Sequence, residues 1–238
     1  MPDHIVSAFD TELSALKQRI AEMGGIAEKM VGDAMLAMSR RDLDLAAAVR
    51  ETDLRLDTLQ RDVEEQAILL IARRQPMAID LRDVVAAIRI ASDLERVGDL
   101  AKNIAKRVLV MESNVQLPKA AVALTHLSRQ VLTQLKIVLD SYSSRQEAQA
   151  IEVWQRDAEV DALYTSIFRQ LLTYMMEDPR NITFSTHLLF SAKNLERIGD
   201  HATNIAETVH YLVTGQSLPI DRPKGASDQD ALSETAAG

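Results

Sequence analysis

Apolar residues along the chain recur every three or four positions over long stretches, which is the spacing of one face of an amphipathic α-helix. The first stretch, over 5–39, places Ile5, Phe9, Leu13 and Leu16 on one such face. Five more stretches with the same spacing follow at 43–74, 78–112, 118–142, 146–177 and 180–214. The pattern therefore predicts an all-α chain of six long helices.

Polar residues, prolines and glycines indicate where these helices begin, end or weaken. Asp42 stands where an N-cap is expected before the second helix. Pro76 requires that helix to end just before it, because the residue preceding a proline disfavours the helical conformation. Gly24 and Gly25 are expected to loosen the first helix. Residues 216–238 are rich in Gly, Pro, Ser and Asp, so a disordered tail is expected there.

The chain also contains an internal repeat. The strings DLERVGDLAKNIA, at 93–105, and NLERIGDHATNIA, at 194–206, are identical at nine of their last twelve positions. The segments ETDLRLDTL and QRDAEVDAL match more weakly upstream. We therefore predict two tandem pseudo-symmetric three-helix bundles, one over 1–112 and one over 113–215. The molecule is expected to be elongated, because a helix of about 30 residues is about 45 Å long.

The amino-acid composition and the net charge argue against several classes of function. With 47% hydrophobic and 26% charged residues, the chain has the composition of a globular protein. A net charge of -8 without any basic stretch argues against binding to nucleic acid or to anionic lipid. The lack of cysteine excludes disulfides and thiolate metal sites. Neither a signal peptide nor an apolar stretch of about 20 residues is evident, so a soluble cytoplasmic protein without membrane insertion is expected.

Both halves carry oxygen-bearing side chains at four-residue spacing, which places them along one face of a helix. These candidate metal ligands are Asp53, Asp57, Glu95, Asp99 and Asn103 in the first half, and Asp157, Asp161, Glu196, Asp200 and Asn204 in the second. Asp57 lies 19 residues before Pro76, and Glu95 lies 19 residues after it. If the connecting loop is short, the two helices are antiparallel and their acidic lines face each other.

Facing carboxylates repel one another, since two unit charges about 5 Å apart cost about 3 kcal/mol at an effective dielectric constant near 20. The acids can stay in water, be neutralised by Arg96, Arg197 or Lys102, or hold bound cations. Oxygen ligands without thiols favour hard ions such as Mg, Ca, Mn or Fe. Gly98 and Gly199, directly before the central Asp of each line, are expected to admit a neighbouring helix or a ligand.

Several other residues that can bind metals or ligands are expected to be structural. His201 and His210 have no histidine counterparts in the first half, which favours surface or capping roles. Trp154 is expected to pack in the core. The methionines at 23, 30, 35 and 38 have helical spacing and are expected to be core residues as well.

The two repeated strings, the turn ARRQPMAIDLR and the paired D-x3-D lines together resemble the PhoU family, accessory proteins of bacterial phosphate-specific transport, over residues 3–215. The resemblance implies two three-helix bundles, and multinuclear clusters of iron or another divalent metal such as Zn, Mn or Mg on the ten oxygen-bearing residues. It also implies a homodimer, peripheral at the inner membrane through its partners. Its expected function is to repress the phosphate-starvation (Pho) regulon and restrain phosphate uptake, as an adaptor between the ATPase subunit of a phosphate ABC transporter and a sensor histidine kinase.

Two other interpretations remain at this point. One is a carboxylate-bridged metal protein with an oxidase or metal-storage role, and the other is a helical scaffold without metal. A di-iron enzyme of the helical-bundle type needs a Glu-x-x-His pair on each of two facing helices, and the chain does not hold two such pairs. It also has no Gly-rich phosphate loop or Walker motif. A non-enzymatic regulatory adaptor is therefore the favoured interpretation.

Overall fold

The fold is known from a computed structural model that describes residues 2–111 and 118–219, without the side chains of 2–7, 118 and 119. Within these residues the chain forms seven α-helices, one 3₁₀ turn and no strand, which confirms the all-α prediction. The helices are α1 Pro2–Arg40, α2 Leu43–Arg74, α3 Ile79–Val110, α4 Pro118–Ser144, α5 Glu147–Gln155, α6 Asp157–Glu177 and α7 Ile182–Thr214, with the 3₁₀ turn at Pro179–Asn181. None of the described helices is both long and apolar enough to cross a lipid bilayer.

The helices pack as two bundles that share one core. In the first half α1, α2 and α3 pack together, and in the second α4, α5 and α6 pack around α7. Packing of α3 against α7 joins the halves, and the buried apolar side chains form one continuous cluster. Met23 and Met30 are buried in it as predicted, and burial of such a side chain stabilises the fold by about 1.5–3 kcal/mol. The predicted boundaries between the repeats stay predictions, and beyond Pro219 the predicted tail lies outside the described residues.

The ends of α1 and α2 follow the sequence signals in most respects. The backbone N–H of Leu45 donates to Asp42 Oδ1 at 2.9 Å, which confirms Asp42 as the N-cap of α2. The expected loosening at Gly24 and Gly25 is wrong, because α1 is helical without interruption from Pro2 to Arg40. A Cβ atom at Gly24 would lie 2.7 Å from Leu139 Cδ1, so a side chain of α4 fills this space and the two helices pack closely there.

The predicted fifth helix, 146–177, is divided at Arg156 into α5 and α6. The carbonyl oxygen of Arg156 accepts a hydrogen bond from Gln134 Nε2 of α4 at 3.1 Å and one from the backbone N–H of Glu159 at 3.1 Å. The Arg156 guanidinium also lies 3.4 Å from Glu152 and 3.3 Å from Glu159. These local bonds replace continuous helical bonding, so Asp157 becomes the first residue of a new helix.

Both glycines of the repeated motif admit the neighbouring helix, as expected. A Cβ atom at Gly98 would lie 2.3 Å from Leu56 Cδ2 of α2, and one at Gly199 would lie 3.1 Å from Val160 Cγ1 of α6. Leu56 and Val160 are both buried, so neither can move into solvent to make room. Because glycine has no side chain, Gly98 lets α2 pack closely against α3, and Gly199 lets α6 pack closely against α7. Both close contacts lie at the level of the acidic residues.

We expect Gly98→Ala to destabilise the protein by about 1–2 kcal/mol. Forcing a methyl group against buried Leu56 costs more than the roughly 1 kcal/mol that alanine contributes to helix propensity. Gly25→Ala is the matched control: its Cβ would meet nothing within 4 Å, so it should stabilise by about 0.5–1 kcal/mol. Urea denaturation of both variants measures the two effects, and equal shifts in the same direction would contradict the close approach at Gly98.

Candidate functional site

The structure brings the acidic residues of the first half together on facing surfaces of α2 and α3. The charges of Asp99, Asp57 and Asp53 all raise the pKa of Glu95, so the four carboxylates lie within electrostatic reach of one another. Asp53 is 3% exposed, whereas the other three are partly accessible to water. We call Asp53, Asp57, Glu95 and Asp99 the first acid group. Lys102 bonds both Asp53 of α2 and Asp99 of α3, which confirms the prediction that the two acid lines face each other.

Two cationic side chains of α3 neutralise much of the first acid group. Lys102 Nζ donates to Asp53 Oδ2 and to Asp99 Oδ1, each at 2.5 Å, and so links α2 to α3. The Arg96 guanidinium lies 3.1 Å from Asp99 and 3.4 Å from Glu95. In the first half, Lys102 and Arg96 therefore neutralise the carboxylates. This is one of the three arrangements considered from the sequence.

The titration of these groups reflects both burial and pairing. Burial raises the pKa of Asp53, although the hydrogen bond from Lys102 opposes the shift. Burial, followed by the charge of Asp99, raises the pKa of Glu95. For Lys102, burial alone would lower the pKa, but the hydrogen bonds to Asp53 and Asp99 outweigh it and raise the pKa above its usual value. Lys102 is therefore a permanent cation within the group.

The second half gathers the corresponding residues between α6 and α7. We call Asp157, Asp161, Glu196 and Asp200 the second acid group, because the charges of the other three all raise the pKa of Asp200. Thr203, which occupies the position of Lys102 in the aligned repeats, donates to Asp157 Oδ1 at 3.0 Å. A neutral hydroxyl therefore makes the contact that an ammonium makes in the first half.

The cation beside the second acid group is not the one expected from the sequence. Arg197 is exposed, and Lys193, one turn before Glu196, donates to Glu196 Oε1 at 2.5 Å instead. The Lys193 ammonium also lies 5.1 Å from the ring centre of Tyr164. Lys193 is three residues from Glu196 on the same helix, a spacing that could have identified the pair.

Within the second acid group, Asp200 is the carboxylate whose pKa is shifted most strongly. Burial, together with the charges of Glu196, Asp157 and Asp161, raises its pKa to about 6, and Lys193 only partly offsets this. Asp200 is therefore mostly ionised at neutral pH, but its ionisation costs more free energy in the folded protein than in the unfolded chain. A cation close to this carboxylate would relieve that cost.

We expect Asp200→Asn to stabilise the chelator-treated protein above pH 6. A folded pKa of about 6, above the usual 3.8, means that folded Asp200 holds its proton over a range in which the unfolded chain has lost it. Stability therefore falls as the pH rises from about 4 to 6, by about 1–2 kcal/mol once solvent screening is allowed for. The variant should not show this fall. Asp99→Asn is the matched control and should lose stability at pH 7, since it removes a partner of Lys102 and Arg96. Urea denaturation from pH 4 to 8 tests both, and a wild-type stability that rises over this range would contradict the assignment.

The two predicted asparagine ligands lie further along their helices. Asn204 Nδ2 donates to Asp93 Oδ1 at 3.4 Å, across the contact between α7 and α3, while Asn103 is half-buried on α3. Asp93 Oδ1 also lies 2.9 Å from Nδ1 of His201, so the predicted surface or capping role of His201 is wrong. Each step of four residues turns about 40° around a helix, which carries Asn204 away from the line begun by Glu196.

One Glu-x-x-His pair does occur in the sequence, Glu207 and His210, although a di-iron site needs two. His210 Nδ1 lies 3.0 Å from Glu147 Oε1, so this histidine packs against α5. Its predicted surface or capping role is therefore also wrong. Trp154, by contrast, is buried and packs in the core as predicted.

The donor chemistry of the acid groups fits a hard cation, although the carboxylates are not arranged as a finished site. Within residues 2–111 and 118–219, no three carboxylate or imidazole side chains are placed closely enough to hold a metal ion. Asp53 Oδ1 and Glu196 Oε2 are nevertheless buried without a hydrogen-bond partner in this part of the chain. Buried charged oxygens of this kind gain most from an added cation. Any cation would have to draw the carboxylates together from their present positions.

Comparison with known proteins places the chain among close relatives. The sequence model of the PhoU domain matches residues 20–108 and 124–209, one match in each repeat. The chain is 58% identical to the phosphate-specific transport system accessory protein PhoU homolog of Rhizobium meliloti (strain 1021), over 93% of each protein. It is 52% identical to the homolog of Caulobacter vibrioides (strain NA1000 / CB15N), over 94% of this chain and 97% of that protein.

Two solved structures share the architecture. PhoU from Pseudomonas aeruginosa superposes with a TM-score of 0.84 at 39% identity, covering 87% of this chain and all of that one. The phosphate transport system regulatory protein PhoU from Streptococcus pneumoniae superposes with a TM-score of 0.82 at 29% identity, covering 89% of this chain and all of that one. The similarity therefore extends over both repeats.

Proposed function

The chain belongs to the PhoU family, and we propose that it is a negative regulator of the phosphate-starvation (Pho) regulon and a modulator of phosphate uptake. The observation that carries this proposal is the 58% identity, over 93% of the chain, to an accessory protein of phosphate-specific transport. The similar structure from Streptococcus pneumoniae is named a regulatory protein of the same system. A role in regulating phosphate transport follows at the level of the family, and the proposal adds repression of the regulon.

The proposed mode of action is that of an adaptor, which binds one partner with each end. Gly215, just after α7, lies against Arg82 in the first turn of α3, so α3 and α7 are antiparallel and the turns that precede them lie at opposite ends of the molecule. A large apolar side chain is exposed at each end: Met77, in the turn before α3, is 80% exposed, and Met176, in the last turn of α6, is 85% exposed. Ile79 and Leu81 are also exposed near the first end, and Leu172 and Ile182 near the second, and apolar residues grouped in this way support contact with two different proteins. The proposed partners are the ATPase subunit of a phosphate ABC transporter and a sensor histidine kinase.

The chain has to reach both partners at the cytoplasmic face of the inner membrane. The proposal therefore places it in the cytoplasm, peripheral to the membrane and held there by its partners. It includes a homodimer, which sedimentation of the purified protein tests directly. It does not include catalysis, since regulation by an adaptor requires only binding.

Deletion of the gene tests the proposed repression. In cells grown with abundant phosphate, a reporter driven by a phosphate-starvation promoter should rise at least tenfold in the deletion strain. A plasmid copy of the intact gene should restore repression, whereas an empty plasmid should not. Normal repression in the deletion strain would contradict the proposed function.

Cation binding at the acid groups is the second part of the proposal. The ten candidate ligands supply carboxylate and amide oxygens, which suit Fe, Mn, Mg or Zn, as single ions or as a multinuclear cluster. The bound metal would supply positive charge that neutralises the carboxylates and draws α2 to α3, or α6 to α7. The two buried oxygens without partners and the raised pKa of Asp200 support this part of the proposal.

A further inference from the structure

Each acid group has four carboxylates, at equivalent positions in the two repeats. The groups differ in the residue that contacts the first aspartate, which is Asp53 in the first group and Asp157 in the second. In the first half, Lys102 Nζ bonds Asp53 and Asp99, and the Lys102 side chain is only 21% exposed. In the second half the aligned residue is Thr203, whose hydroxyl bonds Asp157 at 3.0 Å and the carbonyl of Gly199 at 3.1 Å. The first acid group thus contains a built-in cation at a position where the second has a neutral group.

Lys193, the lysine beside the second acid group, is held by fewer hydrogen bonds than Lys102. Lys193 bonds a single carboxylate, that of Glu196 on its own helix, and its side chain is 47% exposed. Lys102 bonds two carboxylates on two helices and has little access to water. An incoming cation can displace the half-exposed Lys193 ammonium into solvent and take over its contact with Glu196. Displacing Lys102 would break two partly buried charged bonds, and the one to Asp53 joins α2 to α3.

A buried oxygen of the second acid group also lacks a partner. Glu196 is 9% exposed, and among the described residues no donor reaches its Oε2 atom. Glu196 lies four residues before Asp200 on α7, so the two carboxylates occupy the same face of that helix. The first group has one such oxygen as well, Asp53 Oδ1, but Lys102 fills the space between Asp53 and Asp99.

We propose that the two acid groups are functionally unequal: the second acid group is the tight site for a divalent cation, and Lys102 takes the place of that cation in the first. The inference rests on the cation binding proposed above and assigns it to one half of the duplicated fold. The residues that decide the difference are Lys102 and Thr203. Cation binding by this protein is thereby restricted to the contact between α6 and α7, next to the packing of α7 on α3.

Titration of the chelator-treated full-length protein with Mn²⁺ tests this assignment. Calorimetry and the loss of the free Mn²⁺ electron paramagnetic resonance signal report affinity and stoichiometry without any activity assay. The wild type should bind tightly at one half of the molecule. Asp200→Asn should weaken this binding at least tenfold, whereas the matched first-half variant Asp99→Asn should change it less than threefold.

Exchange of the two deciding residues is the sharper test. Thr203→Lys should weaken the tight binding at least tenfold, while Thr203→Val, which removes the hydroxyl without adding charge, should retain it. Lys102→Thr should create a second tight site. Circular dichroism and thermal melting identify any variant that fails to fold, and the folded variants then decide the outcome.

Four results would overturn the inference. Two equal sites in the wild type, no change in stoichiometry in Lys102→Thr, or undiminished affinity in folded Thr203→Lys would each contradict the role of Lys102. If the wild type binds no Mn²⁺, the inference and the proposed cation binding fall together, while the reporter experiment decides the regulatory function separately. If the wild type binds Mn²⁺ at two equal sites, only the inequality is lost.

Discussion

Lys102→Met should lower the free energy of unfolding by about 3 kcal/mol at pH 7.5 in the presence of a chelator. The substitution keeps most of the apolar stem but removes the ammonium that bonds Asp53 and Asp99. Asp53 is 3% exposed, and a buried carboxylate that loses the cation bonded to it is strongly destabilising. Urea denaturation of the wild type and the variant measures the loss.

The deficit of Lys102→Met should shrink as the pH falls. Burial already raises the pKa of Asp53, and Lys102 is what opposes this shift, so its removal moves the folded pKa further above that of the unfolded chain. A carboxylate with a raised folded pKa takes up its proton on folding, and stability is regained as the pH falls through that pKa. The second-half counterpart Thr203→Val removes one hydrogen bond from an uncharged donor to Asp157 and should cost less, about 1.5 kcal/mol. Equal losses in the two variants would contradict the difference between the acid groups.

Arg145→Ala should also lower the free energy of unfolding by about 3 kcal/mol. The Arg145 guanidinium contacts both oxygens of Asp83 at 2.5 and 2.6 Å, joining the turn after α4 to the start of α3. Asp83 is 2% exposed, and its other cation, Lys17, lies 3.7 Å away. Loss of Arg145 therefore leaves a buried carboxylate poorly compensated.

Urea denaturation measures this effect against an exposed pair of the same chemistry. Arg55, whose side chain is 66% exposed, pairs with Glu22, and Arg55→Ala should cost less than about 1 kcal/mol. The double variant Asp83→Asn with Arg145→Ala should be more stable than Arg145→Ala alone, because the uncompensated charge is gone. Similar losses for Arg145→Ala and Arg55→Ala would show that the contact between the halves does not depend on this pair.

The sequence predicts the helices and the first acid group well because both follow from spacing. Apolar periodicity locates the helices, and the equal distances of Asp57 and Glu95 from Pro76 predict that they face each other. Gly98 and Gly199 are expected to admit a neighbour, and the structure identifies these neighbours as Leu56 and Val160. Each of these features depends either on local sequence or on the number of residues between a side chain and the turn that joins two antiparallel helices.

Features that depend on side chains from other helices escape the sequence. At the break, Gln134 of α4 bonds the carbonyl oxygen of Arg156, and no pattern within 146–177 indicates this contact. The contact of His201 with Asp93 arises only when α7 packs on α3. The packing of the two halves places His201 next to Asp93, and the apolar periodicity of the sequence does not specify how the halves pack.

The choice among competing cations also depends on packing. Lys102, Arg96 and Arg197 are equally plausible from their spacing, yet the structure uses the first two and leaves Arg197 exposed. In the second half Lys193 takes the role instead. Alignment of the repeats shows that Thr203 replaces Lys102, but the consequence is visible only once each is seen to contact the first aspartate of its group.

The adaptor role is the central claim, and binding to both partners at once tests it most directly. The purified chain, immobilised at a surface site away from Met77 and Met176, is mixed with the ATPase subunit of the phosphate transporter and the cytoplasmic part of the sensor kinase. The account predicts that both proteins are captured together. It also predicts that Met77→Glu and Met176→Glu each release a different partner while leaving the melting temperature unchanged. Capture of neither protein by the folded wild type would contradict it.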